Sequence, residues 1–248
     1  MAKLTALVLS SLAAASLTLA ASTSEAAPSI YPAHLDWMGG LVTNIVPSDN
    51  SWAGASTPCS INWATNVATT KGACFLTLAI RQGDATITST TMFQWWGSSS
   101  PSSPTYHDQI AAGNRFYRLL DAGELVAGDV LSTKYLSQSN VTTGYTMVVS
   151  TIESFAILPD GTERFLVEVI DSATDPHGNQ DTRYNIDPNV GHDQGVGAGL
   201  IFIDADPVSG AIIQHTWSNQ GLNQSSYYTQ AQRHMEMGRF DRNKLTGS

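Results

Sequence analysis

Two cysteines are the residues whose chemistry stands out in this sequence of 248 residues. Cys74 stands in "TTKGACFLTLAIRQ", where the apolar residues that follow it predict a largely buried helix. A thiol at that place is favoured as a nucleophile, because a helix N-terminus lowers the pKa of a cysteine. A disulfide with Cys59 is the other role, since it would close a loop of about 15 residues and stabilise the fold by ~3 kcal/mol. The residues alone leave both roles open.

A thiol nucleophile needs a base from another element, and histidine is the first candidate. His177 follows Asp171 in the same loop and is the histidine that we expect to reach a cleft, or else to bond to the backbone. His107 is expected to pack or to face solvent on a short helix, and His192 is expected in a turn or else at a metal contact. The sequence shows no spacing typical of a metal site, so we expect no metal and no cofactor.

The elements that must position these groups follow from the periodicity of the chain. One helix precedes several β-branched, alternating segments, and two pairs of these are joined by Asp/Pro/Gly turns: "YTMVVSTIESFAI" with "RFLVEVIDSA", and "GLIFIDA" with "AIIQHTWS". This order predicts an α+β domain in which a buried helix packs on an antiparallel sheet or half-barrel. We expect Thr69 or Thr70 to cap the helix. Residues 27–68 are predicted to be an irregular arm with one short strand, "GLVTNIV", and residues 219–248 a C-terminal extension.

The N-terminus has the layout of a secretory signal peptide. Residues 1–26 carry Lys3, then an apolar run, then small residues that favour cleavage after Ala26. No later segment approaches the ~20 apolar residues of a membrane span, so we expect a secreted or periplasmic protein. The net charge is −9 and the 12 Lys and Arg residues form no block, which argues against a nucleic-acid partner. Export also favours a disulfide between the two cysteines.

Six motifs occur in an order that is similar to a known family: "TTKGACFLTLAIRQ", "GSSSPSSPTYHDQI", "LVAGDVLSTKY", "TGYTMVVS", "VIDSATDPHGNQDTRYN" and "GVGAGLIFIDADPVSGAIIQHTWS". Between Asn62 and Ser218 the chain resembles bacterial exported relatives of the NlpC-type, papain-like cysteine hydrolases. The resemblance implies that a cysteine opens a buried helix, that a Gly-Asp turn leads into the first strand, and that a histidine begins the next. It also implies cleavage of amide bonds, with a peptidoglycan peptide or another peptide or amide as the ligand.

The sequence departs from the pattern of that family at two positions. Gly72 stands where the resemblance places the nucleophile, and Cys74 lies two residues later, which turns its side chain by ~200° on a helix. Tyr145 stands where a histidine is expected, and a phenol with a pKa near ~10 is a poor base for a thiol. Asp171 matches the polar residue that orients the base. The candidate catalytic residues are therefore Cys74, Tyr145, Asp171 and His177.

Two functions follow from the resemblance and its departures. The first is an active cysteine peptidase or amidase in which Cys74 attacks an amide and His177 acts as the base. The second is a non-catalytic binding module that keeps the remnant cleft and a structural disulfide between Cys59 and Cys74. A group of aromatic residues either lines a substrate groove or packs in the core: Trp63, Trp95, Trp96 and Tyr106.

Overall fold

The computed structural model describes residues 33–54, 56–136, 143–187, 189–220 and 226–241. The predicted signal peptide, residues 1–26, lies outside the described residues. Within these residues the helices are α1 (Ala33–Asn44), α2 (Gly72–Gly83), α3 (Ser89–Trp96) and α4 (Ser103–Ala111), with short 3-10 helices at Pro47–Asp49 and Ala122–Glu124. The strands are β1 (Asn50–Trp52), β2 (Ser60–Asn62), β3 (Val67–Thr70), β4 (Phe116–Leu119), β5 (Val130–Tyr135), β6 (Gly144–Ile157), β7 (Glu163–Ala173), β8 (Gly195–Ala205), β9 (Ile212–Thr216), β10 (Tyr227–Thr229) and β11 (Arg233–Phe240).

Eight of these strands form one antiparallel sheet in the order β10-β9-β8-β7-β6-β5-β11-β4. The predicted α+β class with a large antiparallel sheet is confirmed. The sheet curls back on itself, which brings together parts that are not neighbours in the strand order. The Ala122 N–H, just after β4, donates to the Gly210 carbonyl in the β8–β9 turn at 2.8 Å. The Arg233 guanidinium of β11 lies over the ring of Tyr228 in β10.

The two faces of the curled sheet bury two separate apolar cores. The helix-side core joins the helices to one face and includes Phe75, Leu76, Tyr106, Val148 and Ile170. The inner core lies on the other face and includes Met147, Val149, Val167, Val169, Ile201 and Met235. Because side chains alternate along a strand, neighbouring residues of β6 and β7 belong to different cores. A shift of one residue therefore moves a side chain from the helices to the inner face.

Helix α2 is held in the helix-side core by Phe75, Leu76, Ala79 and Ile80, which are 0–3% exposed. This spacing gives one broad apolar face, as the sequence predicted. The helix begins at Gly72, and the residue before it is Lys71 in extended conformation. The predicted caps are therefore wrong: Thr69 and Thr70 end strand β3.

The segments that were predicted to be an irregular arm and a C-terminal extension both contain regular elements. In residues 27–68, helix α1 buries Met38 and Leu41, and strands β1 and β2 form a small sheet with β3, which begins at Val67. The predicted strand "GLVTNIV" lies mostly in α1, because packing against α2 and the main sheet outweighs the β propensity of its Val and Thr residues. In residues 219–248, β11 pairs with both β5 and β4 and contributes Met235 and Met237 to the inner core.

Candidate functional site

Cys74 is bonded to Cys59 in a disulfide, with the two Cα atoms 6.5 Å apart. The predicted disulfide is confirmed. Its sulfurs are bonded to each other, so the oxidised chain has no thiolate at the start of α2. The Lys71 N–H donates to Cys74 Sγ at 3.2 Å, which places the sulfur at the first turn of the helix. The bond therefore joins the segment before β2 to the N-terminus of α2.

Gly72, at the position where the family resemblance puts the nucleophile, carries no side chain. Its φ is +25°, a backbone conformation that glycine adopts more easily than other residues. A Cβ built there would lie 3.7 Å from Ser103 Oγ, so the space that it faces is next to the start of α4. The first turn of α2 thus presents a glycine and an oxidised cysteine.

Five buried residues form a hydroxyl cluster around this helix start: Thr70, Ser103, Ser132, Thr146 and Ser172. Thr70 Oγ1 donates to Ser172 Oγ at 2.9 Å. Ser132 Oγ donates to the Ser103 carbonyl at 2.9 Å and lies 3.0 Å from Thr146 Oγ1. None of the five side chains ionises near neutral pH, so the hydroxyl cluster contains neither a base nor an activated nucleophile.

The strand residues in the hydroxyl cluster are immediate neighbours of predicted site residues. Thr146 follows Tyr145 in β6, and Ser172 follows Asp171 in β7. Tyr145 packs against the inner core, on the face opposite to Thr146. Asp171 shares the parity of Val169 and Val167 and therefore also faces inwards. The sequence predicted the site at Tyr145 and Asp171, whereas the residues that belong to the hydroxyl cluster are the next ones in the chain.

Asp171 and His177 meet in a buried ionic network with Asp181 and Arg183, all of which are at most 5% exposed. His177 Nε2 lies 2.8 Å from Asp171 Oδ2. Arg183 Nη2 lies 2.8 Å from Asp171 Oδ1 and 2.6 Å from Asp181 Oδ2. Two acidic and two basic side chains thus meet in a site closed to solvent.

Each group in the ionic network is already bound to a partner within the chain. His177 Nδ1 lies 2.6 Å from the Trp217 carbonyl, so both ring nitrogens face acceptors. Burial alone raises the pKa of Asp171, but Arg183 and His177 outweigh it and hold that pKa below its ordinary value. Both ring nitrogens of His177 are therefore engaged within the chain, and the ring is closed to solvent.

Tyr145 borders the ionic network without acting as its base. Its hydroxyl donates to the Ser172 carbonyl at 2.8 Å. Burial raises the pKa of Tyr145 well above its usual value, and the charge of Asp171 raises it further. The phenol thus stays protonated. The fold brings together three of the four predicted site residues, Tyr145, Asp171 and His177, whereas Cys74 is bonded to Cys59.

Strand β8 makes room for the loop that carries the ionic network. A Cβ on Gly197 would overlap Arg183, and one on Gly199 would overlap Asp181 and His177. Glycines at positions 195, 197 and 199 lie on one face of the strand, where the loop lies directly against Gly197 and Gly199 and Asn50 lies against Gly195. This alternating "GVGAG" pattern is the sequence signal from which the loop position was predictable.

Comparison with known proteins shows a family to which the chain belongs. No protein-family model matches the chain, and no solved structure gives a significant match. "Uncharacterized protein R653" of Acanthamoeba polyphaga mimivirus is 32% identical over 162 residues, which cover 60% of this chain and 68% of the viral protein. The chain belongs to the family of that viral protein.

In this member of the R653 family, an open groove of about 370 Å³ lies beside the disulfide and α2. Two of its lining residues are cationic, Lys71 and Arg81, and none is acidic. The other residues that line it are Thr57, Pro58, Cys59, Cys74, Thr77, Leu78, Ser89, Ser99 and Ser100. Lys71 Nζ lies 3.4 Å from the Gly54 carbonyl, which holds the amine at the groove. We call this feature the α2 groove.

The four aromatic residues pack in or against the helix-side core, which is one of the two alternatives that the sequence left open. Trp96 and Tyr106 are 7% and 0% exposed and pack edge-to-face in the helix-side core. Trp63 and Trp95 are half-buried against the same core. These side chains thus contribute to the packing of the helices on the sheet. None of the helices in the described ranges is long and apolar enough to cross a bilayer.

Proposed function

We propose that this protein is an exported, non-catalytic binding protein on a papain-like scaffold of the NlpC type. In this proposal it recognises an acidic peptide, or another amide ligand with a carboxylate, in the α2 groove. The observation that carries the proposal is the first turn of α2, which has Gly72 at the nucleophile position and Cys74 in a disulfide. A papain-like hydrolase without a thiol at this helix end has no nucleophile for the amide carbon.

The order and packing of the elements support a scaffold of this kind. Helix α2 packs in the helix-side core with residues of β6 and β7, and the turn at Gly128 and Asp129 leads directly into β5. Gly128 has a φ of +90°, and Asp129 is fixed by Arg239 at 2.8 Å, so this turn is firmly held. This is the sequence of helix, Gly-Asp turn and antiparallel strands that the family resemblance implies.

The hydroxyl cluster supports the absence of catalysis. The face of β6 and β7 next to α2 presents Thr146 and Ser172, where a hydrolase needs a base and a group that orients it. The histidine and carboxylate of the chain meet instead on the inner face. Each of the three catalytic roles is thus without a suitable side chain at the start of α2.

The charge of the α2 groove supports an anionic ligand. The whole chain has a net charge of −9, yet the α2 groove is lined by two cations and no acid. Lys71 precedes the N-terminus of α2, where the helix dipole also favours negative charge. Arg81 presents a guanidinium that suits two-point binding of a carboxylate. The disulfide and the predicted signal peptide fit export to an oxidising compartment, where such a ligand would be met.

Binding of an acidic peptide, measured by calorimetry at low salt, tests the proposal. We expect peptides with a free carboxylate to bind, their amidated forms to bind at least ~10-fold more weakly, and Arg81→Ala to reduce affinity similarly. Lys134→Gln removes a cation from β5 and serves as the control, which should leave binding unchanged. If a peptide with a free carboxylate binds wild type and Arg81→Ala with equal affinity, the α2 groove is not its binding site.

Absence of catalysis is tested separately with peptidoglycan fragments and mass spectrometry. We expect no cleavage by the oxidised protein. Turnover that disappears in Cys74→Ala but persists in Lys134→Gln would overturn the non-catalytic proposal and restore the hydrolase interpretation. Iodoacetamide labelling of the same sample reports whether a free thiol is present during the assay.

A further inference from the structure

A second polar cluster, formed by His107, His234 and Glu236, lies away from the α2 groove. Helix α4 supplies His107, and β11 supplies His234 and Glu236, which face the same side two residues apart. Each residue offers a ligand atom, and these atoms all lie within 4.8 Å of one another. Across the ranges that the structure describes, this is the group of three or more His, Cys, Asp or Glu residues with such spacing.

The hydrogen bonds of His107 set which nitrogen is free to bind a ligand. Its Nδ1 lies 2.8 Å from Asp108 Oδ1, and Lys134 Nζ lies 2.8 Å from the other oxygen of that carboxylate. An ionised carboxylate only accepts, so Nδ1 carries a proton, and in the neutral ring Nε2 carries the lone pair. Nε2 then points to His234 Nδ1 at 2.9 Å. A carboxylate behind an imidazole is the usual second contact of a metal-binding histidine.

The distances in the cluster fit an ion between the three side chains. Nitrogen ligands at ~2.0–2.1 Å in tetrahedral geometry lie about 3.3 Å from each other. The two imidazole nitrogens are 2.9 Å apart, and His234 Nδ1 is 3.8 Å from Glu236 Oε1. Shifts of less than ~1 Å in these side chains would therefore reach metal-ligand geometry.

The exposure and the charge of this cluster also fit a metal-binding site. The side chain of His234 is 37% exposed, whereas that of Glu236 is 5% exposed, so the site is open on one side. A cavity of about 130 Å³ borders both residues and leaves space for a water ligand. Arg118 holds both oxygens of Glu236 at 2.7 Å. Its side chain is 41% exposed, so the guanidinium can keep Oε2 while Oε1 turns to an ion.

We propose that His107, His234 and Glu236 form a binding site for a late first-row transition-metal ion such as Zn²⁺, with water as the fourth ligand. Two imidazoles and one carboxylate suit Zn²⁺, Cu²⁺ or Ni²⁺ and do not suit Mg²⁺ or Ca²⁺, which prefer oxygen ligands. The ion would replace the single proton shared by the two histidines. It would also link α4 to β11 and so stabilise the fold when bound.

The test is Zn²⁺ binding by the full chain, purified without a histidine tag and measured by calorimetry and metal analysis near neutral pH. We expect one equivalent of Zn²⁺ to bind and to resist a large excess of Mg²⁺. The Co²⁺ form should show the strong visible absorption of a four-coordinate ion, and the Cu²⁺ form should show nitrogen coupling in its electron paramagnetic resonance spectrum.

Three variants make the assignment specific. His107→Ala removes a buried side chain, so the partly exposed His234→Gln provides a second ligand deletion, and each should weaken Zn²⁺ binding at least ~10-fold. Asp108→Asn should weaken it by ~10–100-fold through His107, which it orients. The exposed His192→Gln is the matched control and should bind like wild type. Absence of stoichiometric binding, or equal affinity in His234→Gln and His192→Gln, would overturn the proposal.

Discussion

Strands β6 and β7 separate two buried polar clusters that differ in charge. On the helix side, Thr146 and Ser172 belong to the uncharged hydroxyl cluster near the start of α2. On the inner side, their neighbours Tyr145 and Asp171 border or form the ionic network. The hydroxyl cluster thus contains no ionisable side chain, whereas the ionic network on the other face is closed to solvent. The difference between the two clusters indicates that the charges hold a loop in place and that the hydroxyls fill space at the start of α2.

Arg183→Met, which has the largest expected effect, tests whether the ionic network stabilises the fold. The substitution leaves Asp171 and Asp181 buried without their shared cation, and an unpaired buried charge is strongly unfavourable. We expect the free energy of unfolding in denaturant to fall by about 3–5 kcal/mol. Lys134→Met breaks an ion pair with the half-exposed Asp108 and should cost less than about 1 kcal/mol. A similar small loss for both variants would contradict a stabilising role for the ionic network.

The disulfide provides the next test. It lies on the helix side and stabilises the fold by restricting the unfolded chain, whereas the ionic network does so by pairing charges. Replacing both Cys59 and Cys74 by Ala releases a constraint across 15 positions. We expect a loss of ~3 kcal/mol in the free energy of unfolding, measured by chemical denaturation. Reduction of the wild type should produce a loss of similar size. If reduction leaves the unfolding midpoint unchanged, the bond contributes nothing to stability.

The inner face also predicts a pH dependence through His215. Burial lowers the pKa of this histidine to about 3, and Arg233 contributes in the same direction. Among the residues that the structure describes, its buried Nδ1 has no hydrogen-bond partner, so the neutral ring is the form that the folded chain accommodates. The unfolded chain takes up this proton below pH ~6.5, whereas the folded chain does so only near the lowered pKa. Stability from His215 is therefore complete above pH ~6.5 and is lost as the pH falls towards 3.

We expect this effect to reach about 2 kcal/mol between about pH 6.5 and about pH 5. His215→Leu should flatten the slope of unfolding free energy against pH in that window. The lowered pKa of Asp171 acts in the same direction at more acidic pH, so the comparison must be made between variants at each pH. The exposed His192→Gln should keep the wild-type slope. An unchanged slope in His215→Leu would show that the ring is protonated in the folded chain.

Much of the fold was predictable because its signals are local. The apolar face of α2 and the two hairpins β6–β7 and β8–β9 are present as their periodicity and turn residues predicted. Helix α1 and strand β11 were not recognised. Met38 and Leu41 are buried by contacts with distant elements, and β11 pairs with strands about a hundred residues earlier in the chain. Contacts between such distant parts of the chain cannot be predicted from a short window of sequence.

The sequence predicted which residues meet in the candidate site, but it did not predict the face of the sheet on which they lie. Asp171 and His177 do meet, as their shared loop suggested, yet they meet on the inner face. The face of a strand residue depends on a register that one position reverses, so Tyr145 was identified where Thr146 faces the hydroxyl cluster. The metal-type cluster of His107, His234 and Glu236 was missed, because β11 brings its residues to α4 from more than a hundred positions away.

The smallest test, Thr146→Val, asks whether the hydroxyl cluster matters to the fold. Valine has nearly the shape of threonine, so the change removes the contact between Thr146 Oγ1 and Ser132 Oγ while it keeps the packing. Ser132 still donates to the Ser103 carbonyl, so no donor is left unsatisfied and the loss should be about 1 kcal/mol or less. Chemical denaturation measures it, with Val148→Ala as a control in the helix-side core that should lose more, because it leaves a cavity. A loss that matches Arg183→Met would mean that the two clusters are equally important to stability, and the contrast between the two faces of β6 and β7 would fail.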